Sequence, residues 1–191
     1  MIILPIFNFL GLSKPYIYTI VVIAVIVVVI VTLCITMKKI EEYQNKKMFL
    51  EVETVLKSLM KNEEEYKLTI CHEPTHDYLF ETPNYTYYIK VVSNLNNAEI
   101  CVNNAVKWQL RRSINDDAMR FVEGIEPLMR MELAASSKPN KKLYIVYPNA
   151  RSLLKYINEC EMIFVKNNTD VYGTNIITYA ELCSNQDAIS L

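Results

Sequence analysis

An uninterrupted apolar run near the N-terminus constrains this chain more than any other feature. The twenty-two residues Tyr16 to Met37, YIYTIVVIAVIVVVIVTLCITM, include no charged side chain. At about 1.5 Å of rise per helical residue, they reach roughly the 30 Å thickness of a bilayer's hydrocarbon core. The run exceeds the apolar core of a cleaved signal peptide, and no small-residue cleavage site follows it. The sequence predicts a transmembrane helix over 16–37.

The basic residues around this run predict its orientation. Lys14 alone precedes the run, whereas four lysines follow within about ten residues, and the more basic flank faces the cytoplasm. These four are Lys38, Lys39, Lys46 and Lys47. Within the short N-terminal segment 1–15, residues 1–13 are apolar but too short to span, and we expect an interfacial or re-entrant stretch. The chain is therefore predicted to be a single-pass membrane protein, with the bilayer as one partner and its C-terminal part in the cytoplasm.

Helical spacing continues beyond the apolar run. Over 38–62, apolar residues recur every three to four positions with Glu and Lys between them, which predicts a juxtamembrane helix with one buried face. That helix either continues from the membrane or restarts just after it. The apolar residues are Phe49, Val52, Val55, Leu56, Leu59 and Met60.

Residues 63–191 have the size and texture of one α/β domain. The pattern predicts a meander of three strands, then one broken or two consecutive helices over 104–135, and then further strands and helices. The predicted strands are Tyr66–Cys71, Asp77–Glu81, Thr86–Val92, Leu143–Tyr147 and Met162–Val165, with a helix at Ala150–Asn158 and a strand and helix pair over Asn175–Cys183. This order predicts a mixed sheet with helices on both faces.

The segment His72-Glu73-Pro74-Thr75-His76 spells H-E-x-x-H, the pattern of zinc proteases. That chemistry needs both imidazoles on one face of a continuous helix, and Pro74 costs about 3 kcal/mol in a helix interior. Strand-like residues flank the motif on both sides. We expect a polar turn between two strands, with zinc binding by Cys71, His72 and His76, or a membrane zinc protease, as alternatives.

Part of the meander is similar to a known nuclease family. The stretch from Asp77 through Thr82-Pro83-Asn84 to Tyr88–Val92 resembles the nuclease-related domain (NERD) family. The later segments Leu143–Asn149 and Ile176–Leu182 resemble that family's late strand and its closing strand and helix. The resemblance implies the αβββαβ core of the PD-(D/E)xK, restriction-endonuclease-like fold. It also implies a magnesium site in which carboxylates hold the metal and a lysine steadies the developing charge.

The catalytic positions of that family are only partly matched. Asp77 matches the metal-binding aspartate, and Glu51 or Glu53 on the first helix matches an acidic residue of the family. Lys90, however, stands where the resemblance places the catalytic glutamate, and Val92 stands where it places the lysine. A two-residue slip aligns Lys90 with the lysine but puts Tyr88 in the glutamate's place. A cation in place of a carboxylate repels magnesium.

The balance of charge and the incomplete catalytic motif favour some classes of function over others. All 20 basic and 21 acidic residues except Lys14 lie beyond residue 37, so the domain has no bulk attraction to nucleic acid. We expect a non-catalytic binding or scaffold module with a degraded site at Asp77, Lys90 and Glu53, a protein or nucleic-acid partner and no cofactor. The alternative is a membrane-tethered, magnesium-dependent nuclease that recruits its missing carboxylate from Glu81 or Glu99.

Overall fold

The computed structural model describes residues 14–60, 65–71, 73–112, 120–133, 137–158, 161–166, 169–184 and 189. Two compact units are present, Met1–Lys46 and Lys47–Leu191. One helix, α1, runs without a break from Lys14 to Ser58 and so contributes to both. The sequence prediction of a helix beyond the apolar run is confirmed as a continuation of the same helix. The predicted interfacial segment 1–13 lies outside the described residues.

In the first unit, α1 makes no buried contact. Every side chain from Tyr18 to Lys46 is exposed, including all the Ile and Val residues. In the part of the chain that the structure describes, α1 is the one helix long and apolar enough to cross a membrane, with a window of mean hydropathy 3.4. By length and composition, this helix is compatible with a membrane helix or a signal-type helix.

The second unit begins with the amphipathic end of α1. Met48, Val52, Leu56 and Leu59 are buried, whereas the charged residues between them face solvent or pair with each other. Spacings of three and four residues place these side chains on one helical face. The predicted apolar stripe is confirmed, and it packs on a sheet.

The described residues form ten strands in two five-stranded mixed sheets. Sheet I has the order β1-β2-β3-β7-β10, with antiparallel pairs from β1 to β3 and parallel pairs β3–β7 and β7–β10. Its strands are β1 (Lys67–Ile70), β2 (Tyr78–Glu81), β3 (Thr86–Ser93), β7 (Asn140–Tyr147) and β10 (Asn175–Thr178). The predicted meander and the late strands of sheet I are confirmed.

Sheet II has the order β6-β5-β4-β8-β9, with β4 and β8 parallel and the other neighbours antiparallel. Its strands are β4 (Glu99–Asn104), β5 (Lys107–Arg111), β6 (Arg120–Phe121), β8 (Leu153–Asn158) and β9 (Glu161–Phe164). Two short helices complete the unit, α2 (Glu126–Arg130) and α3 (Tyr179–Ser184).

Sheet II overturns two sequence predictions. Within the described residues of 104–135, β5, β6 and the five-residue α2 stand where helices were predicted, while 113–119 and 134–135 lie outside the described residues. Most of the predicted helix Ala150–Asn158 is β8. Asn104 explains part of the first difference, because its Oδ1 accepts the N–H groups of Val106 and Lys107 and turns the chain between β4 and β5. The mixed α/β class is confirmed, but the structure has two sheets where one was expected, and the αβββαβ, restriction-endonuclease-like order is not confirmed.

Sheet I lies between two hydrophobic cores. Leu143, Ile145 and Tyr147 of β7 join the core on the α1 side, while Tyr144 and Val146 join the core shared with sheet II. The apolar run of β7 thus reflects burial on both faces. In the second core, the Trp108 and Tyr144 rings meet edge to face at 4.7 Å.

Candidate functional site

Asp77 and Lys90 lie side by side on the sheet II side of sheet I. The Asp77 N–H donates to the Ile89 carbonyl at 2.8 Å, which places Asp77 at the start of β2 beside β3. Lys90 Nζ is 3.1 Å from Asp77 Oδ1, and their side chains are only 17% and 6% exposed. The structure therefore brings two of the three sequence-predicted site residues together as a largely buried ion pair.

Both oxygens of the Asp77 carboxylate have partners. Oδ1 faces the Lys90 ammonium, and Oδ2 accepts the Val91 N–H at 2.8 Å. Lys90 Nζ also donates to the Glu73 carbonyl at 3.4 Å, on the turn before β2. A buried charge is stable only when it is paired and hydrogen-bonded, and this arrangement meets both conditions. The pair fastens Glu73 and Asp77, which precede β2, to the central strand β3 of sheet I.

Glu53 lies on the other side of the sheet. Ile89 and Val91, which flank Lys90, point into the core on the α1 side, so Lys90 points to the opposite face. Glu53 is on α1, and its carboxylate pairs with Lys57 at 2.5 Å. The third predicted site residue is therefore separated from Asp77 and Lys90 by sheet I.

Glu51, the other acidic candidate on α1, has a structural contact of its own. Its Oε2 accepts the Tyr147 hydroxyl at 2.6 Å, and its Oε1 is 3.7 Å from Lys47 Nζ. Burial raises the pKa of Tyr147 to about 12, and the hydrogen bond to Glu51 adds to the shift. Tyr147 therefore stays a hydroxyl donor and ties α1 to β7.

The described residues of the H-E-x-x-H segment, 73–76, lie in a turn between β1 and β2, as the sequence predicts. Glu73 donates its N–H to the His76 carbonyl at 2.9 Å, and no helix passes through the described part of the turn. The buried His76 ring meets Tyr88 edge to face at 5.1 Å, and its Nδ1 is 2.8 Å from Thr75 Oγ1. His72 lies outside the described residues. Within the described ranges, no three His, Cys, Asp or Glu residues are placed to hold a metal ion.

Glu81 and Glu99, the two alternative sources of a second metal-binding carboxylate, pair with other residues. Glu81 is 3.8 Å from Lys67 across the β1–β2 pair. Glu99 accepts the Ser152 hydroxyl at 2.6 Å and lies 3.5 Å from Arg111 on sheet II. Neither has a contact with Asp77 among the described residues, so the candidate site holds one carboxylate and one ammonium.

A cleft of about 370 Å³ opens where β7 and β10 end. The carboxyl ends of neighbouring parallel strands are a common position for ligand sites, and this is the signal that sequence reasoning missed. Its charged groups already stabilise the fold: Glu181 Oε2 accepts from the Thr178 N–H, and the Arg151 guanidinium donates to the Arg112 carbonyl. Phe164 provides an exposed aromatic wall.

No protein-family model, curated protein or solved structure matches this chain. Its function must therefore be inferred from the contacts described above.

Proposed function

We propose that this chain is a single-pass membrane protein whose C-terminal domain acts in the cytoplasm as a non-catalytic binding or scaffold module. The observation that carries the proposal is the state of Asp77. Its carboxylate is held by the Lys90 ammonium at 3.1 Å and by a main-chain N–H at 2.8 Å. A divalent cation at this carboxylate would sit against a fixed positive charge in a poorly solvated site, which is strongly unfavourable.

The membrane part of the proposal is supported by α1. Between residues 18 and 46 every Ile and Val side chain of α1 is exposed, which is unfavourable in water, and a bilayer removes that cost. The lysines that follow the apolar run favour a cytoplasmic C-terminal side.

The proposed ancestry is a degraded nuclease-like fold of the PD-(D/E)xK type. Its support is the order of elements around sheet I, in which α1 precedes the β1-β2-β3 meander and β7 then joins parallel to β3. The connection from β3 to β7 departs from the family order, because it passes through sheet II where that family has a helix.

The partner proposed for the module is a protein. Basic and acidic residues nearly balance in the chain, so no net charge draws the domain to a phosphate backbone. A nucleic-acid partner is the alternative, and binding that weakens steeply with salt would reveal it.

The rival function, a tethered metal-dependent nuclease, is tested with the full chain in detergent micelles. The assay adds Mg²⁺ or Mn²⁺ to single- and double-stranded DNA and RNA and compares the wild type with Asp77→Ala. We expect no cleavage from either protein. Metal-dependent cleavage that disappears in Asp77→Ala would refute the proposal, since it would show a working carboxylate at this position.

The orientation is tested by labelling Cys183, an exposed thiol on α3. A membrane-impermeant maleimide is added to intact cells and to permeabilised cells, with Cys183→Ser as the matched control. The proposal expects Cys183-dependent labelling only after permeabilisation. Equal labelling of intact cells would place the domain outside.

A further inference from the structure

Two sulfur atoms meet on the face of sheet II that points away from the shared core. Ile100 and Val102 of β4 lie in that core, so Cys101 between them points to the opposite face. Cys101 Sγ donates to Met162 Sδ of β9 at 3.8 Å. Strand β8 lies between β4 and β9, so the Met162 side chain extends across β8 to make this contact. The contact holds the Met162 sulfur at a defined place on the sheet.

Solvent reaches one of these two side chains and hardly reaches the other. Met162 is 48% exposed, whereas Cys101 is 3% exposed. Burial raises the pKa of the Cys101 thiol, so the thiol keeps the proton that it donates. Oxidation of a cysteine is favoured by exposure and by thiolate character, and Cys101 has neither. An oxidant dissolved in water therefore meets Met162 first.

Met162 is also the most accessible methionine among the described residues of the second unit. Met48 is 4% exposed in the core on the α1 side. Met60, Met129 and Met131 are partly buried, each packed against one of the two cores. Exposure thus selects Met162 for reaction with a dissolved oxidant.

The contact with Cys101 also distinguishes the two lone pairs of the Met162 sulfur. Addition of oxygen to one lone pair or to the other gives the two epimers of methionine sulfoxide. At 3.8 Å the two sulfur atoms touch, and the thiol of Cys101 occupies one lone pair of Met162 Sδ. No oxidant fits between two atoms in contact, so only the second lone pair is open to attack.

We propose that Met162 is a peroxide-reactive modification site, and that Cys101 restricts its oxidation to one sulfoxide epimer. The open lone pair of Sδ attacks one oxygen of hydrogen peroxide, so that an S–O bond forms and the O–O bond breaks. The departing hydroxide takes the proton from the newly bound oxygen and leaves as water. The sulfur loses two electrons, and these reduce the peroxide.

This modification changes the surface of β9 and leaves the sulfur contact in place. The side of the Met162 sulfur that faces Cys101 keeps its lone pair, and the new oxygen lies on the opposite side. All four residues of β9 are exposed, so oxidation makes an apolar part of an exposed strand polar. A thiol-dependent, epimer-specific reductase reverses the change. The inference is independent of the proposed function, because it needs neither a binding partner nor a membrane orientation.

The selectivity is tested on the full chain in detergent micelles. The chain is treated with hydrogen peroxide and digested, and mass spectrometry of the peptides gives the oxidised fraction at each methionine. Met162 should be oxidised roughly tenfold faster than Met48, because nearly half of Met162 meets solvent. A rate at Met162 no higher than the rate at Met48 would overturn the proposal.

The epimer is identified with the two methionine sulfoxide reductases, each of which reduces only one epimer. Each enzyme is applied to the isolated peptide that contains oxidised Met162, so access within the folded chain has no influence. For the wild type, one enzyme should reduce most of the sulfoxide and the other almost none. Comparable reduction by both enzymes would show that both lone pairs react, and would overturn the role of Cys101.

The role of the thiol is tested by removing it. Cys101→Ala and Cys101→Ser both take away the sulfur that covers one lone pair, so the two enzymes should then reduce comparable shares. Cys183→Ala is the matched control, because Cys183 is an exposed thiol on α3, and it should keep the single epimer. The fluorescence of Trp108 verifies the fold of each variant. A single epimer in a folded Cys101→Ala or Cys101→Ser chain would contradict the proposal.

Discussion

The two sheets of the second unit contain the same number of strands but are packed differently. Sheet I has hydrophobic cores on both faces, and its strand β7 contributes to each. Sheet II contributes to one of those cores and leaves β9 exposed at its edge. The difference indicates a division of roles, in which sheet I supplies stability and sheet II supplies a surface.

The ion pairs of the two sheets also differ in burial. The Asp77–Lys90 pair on sheet I is mostly buried and fully hydrogen-bonded, whereas the Glu99–Arg111 pair on sheet II is 17% and 30% exposed. The Glu99–Arg111 pair keeps more contact with solvent through its arginine, so breaking it leaves a charge that water can still reach, whereas breaking the Asp77–Lys90 pair leaves a charge without solvent. A buried ion pair of this kind can therefore resemble a catalytic site while serving the fold.

The largest expected effect comes from the doubly covered strand. Ile145→Ala in β7 should lower the free energy of unfolding by about 2–5 kcal/mol, because it opens a cavity in a fully buried core. Phe121→Ala on β6, half exposed on sheet II, should change it by about 0.5 kcal/mol or less. Urea unfolding of the full chain in micelles, followed by the fluorescence of the single tryptophan, Trp108, measures both. Equal losses of unfolding free energy in the two variants would contradict the proposed difference in packing between the two sheets.

The second effect concerns the ion pairs. Lys90→Met should lower the free energy of unfolding by about 2–4 kcal/mol, because it leaves the buried Asp77 carboxylate without its positive partner. Adding Asp77→Asn should recover most of that loss, because the amide oxygen still accepts the Val91 N–H. Arg111→Met, the counterpart on sheet II, should cost less than about 1 kcal/mol. A double variant no more stable than Lys90→Met would contradict the structural role of the pair.

The third effect appears at alkaline pH. Burial raises the pKa of Tyr87 from 10.0 to about 12, and its hydroxyl donates to the Ile189 carbonyl. Below pH 10 both folded and unfolded chains keep the proton. Between pH 10 and 12 only the unfolded chain loses it, so stability falls by up to about 1.4 kcal/mol per pH unit. Tyr87→Phe should flatten this part of the stability curve; an unchanged slope would exclude Tyr87 as a cause.

The smallest expected effect is at the end of sheet I. Thr178 caps α3, because its Oγ1 accepts the Glu181 N–H at 3.1 Å and donates to the Glu181 carboxylate at 2.9 Å. Thr178→Ala should lower the free energy of unfolding by about 1 kcal/mol. Thr178→Ser keeps the hydroxyl and should lower it by about a few tenths of a kcal/mol. Thermal unfolding of the two variants distinguishes loss of the cap from a packing effect of the methyl group.

Local patterns predicted sheet I well and sheet II poorly. Strands β2, β3 and β7 are apolar runs bounded by Pro, Asn or Lys, so short-range signals suffice to find them. In β8, Leu153, Leu154 and Ile157 also fit helical spacing, and only pairing with β4 and β9 makes the segment a strand. The spacing of apolar residues did not reveal that β4 and β9 would be the neighbours of this segment.

The candidate site shows the same division. The resemblance to the NERD family singled out Asp77 and Lys90, which stand on neighbouring predicted strands. It could not assign the face of sheet I on which Glu53 lies, since that depends on which side α1 packs. The exposed edge of β9 was also beyond prediction, because an edge is defined by the absence of a neighbour in the assembled sheet.

By itself, the sequence determined the long apolar helix, the amphipathic continuation of that helix and the meander with its late parallel strands. These follow from hydropathy and periodicity, which act over a few residues. The tertiary structure alone decided that a second sheet covers sheet I, that Lys90 neutralises Asp77 and that β9 is left open. These depend on contacts between segments far apart in sequence, where packing and burial outweigh local preference.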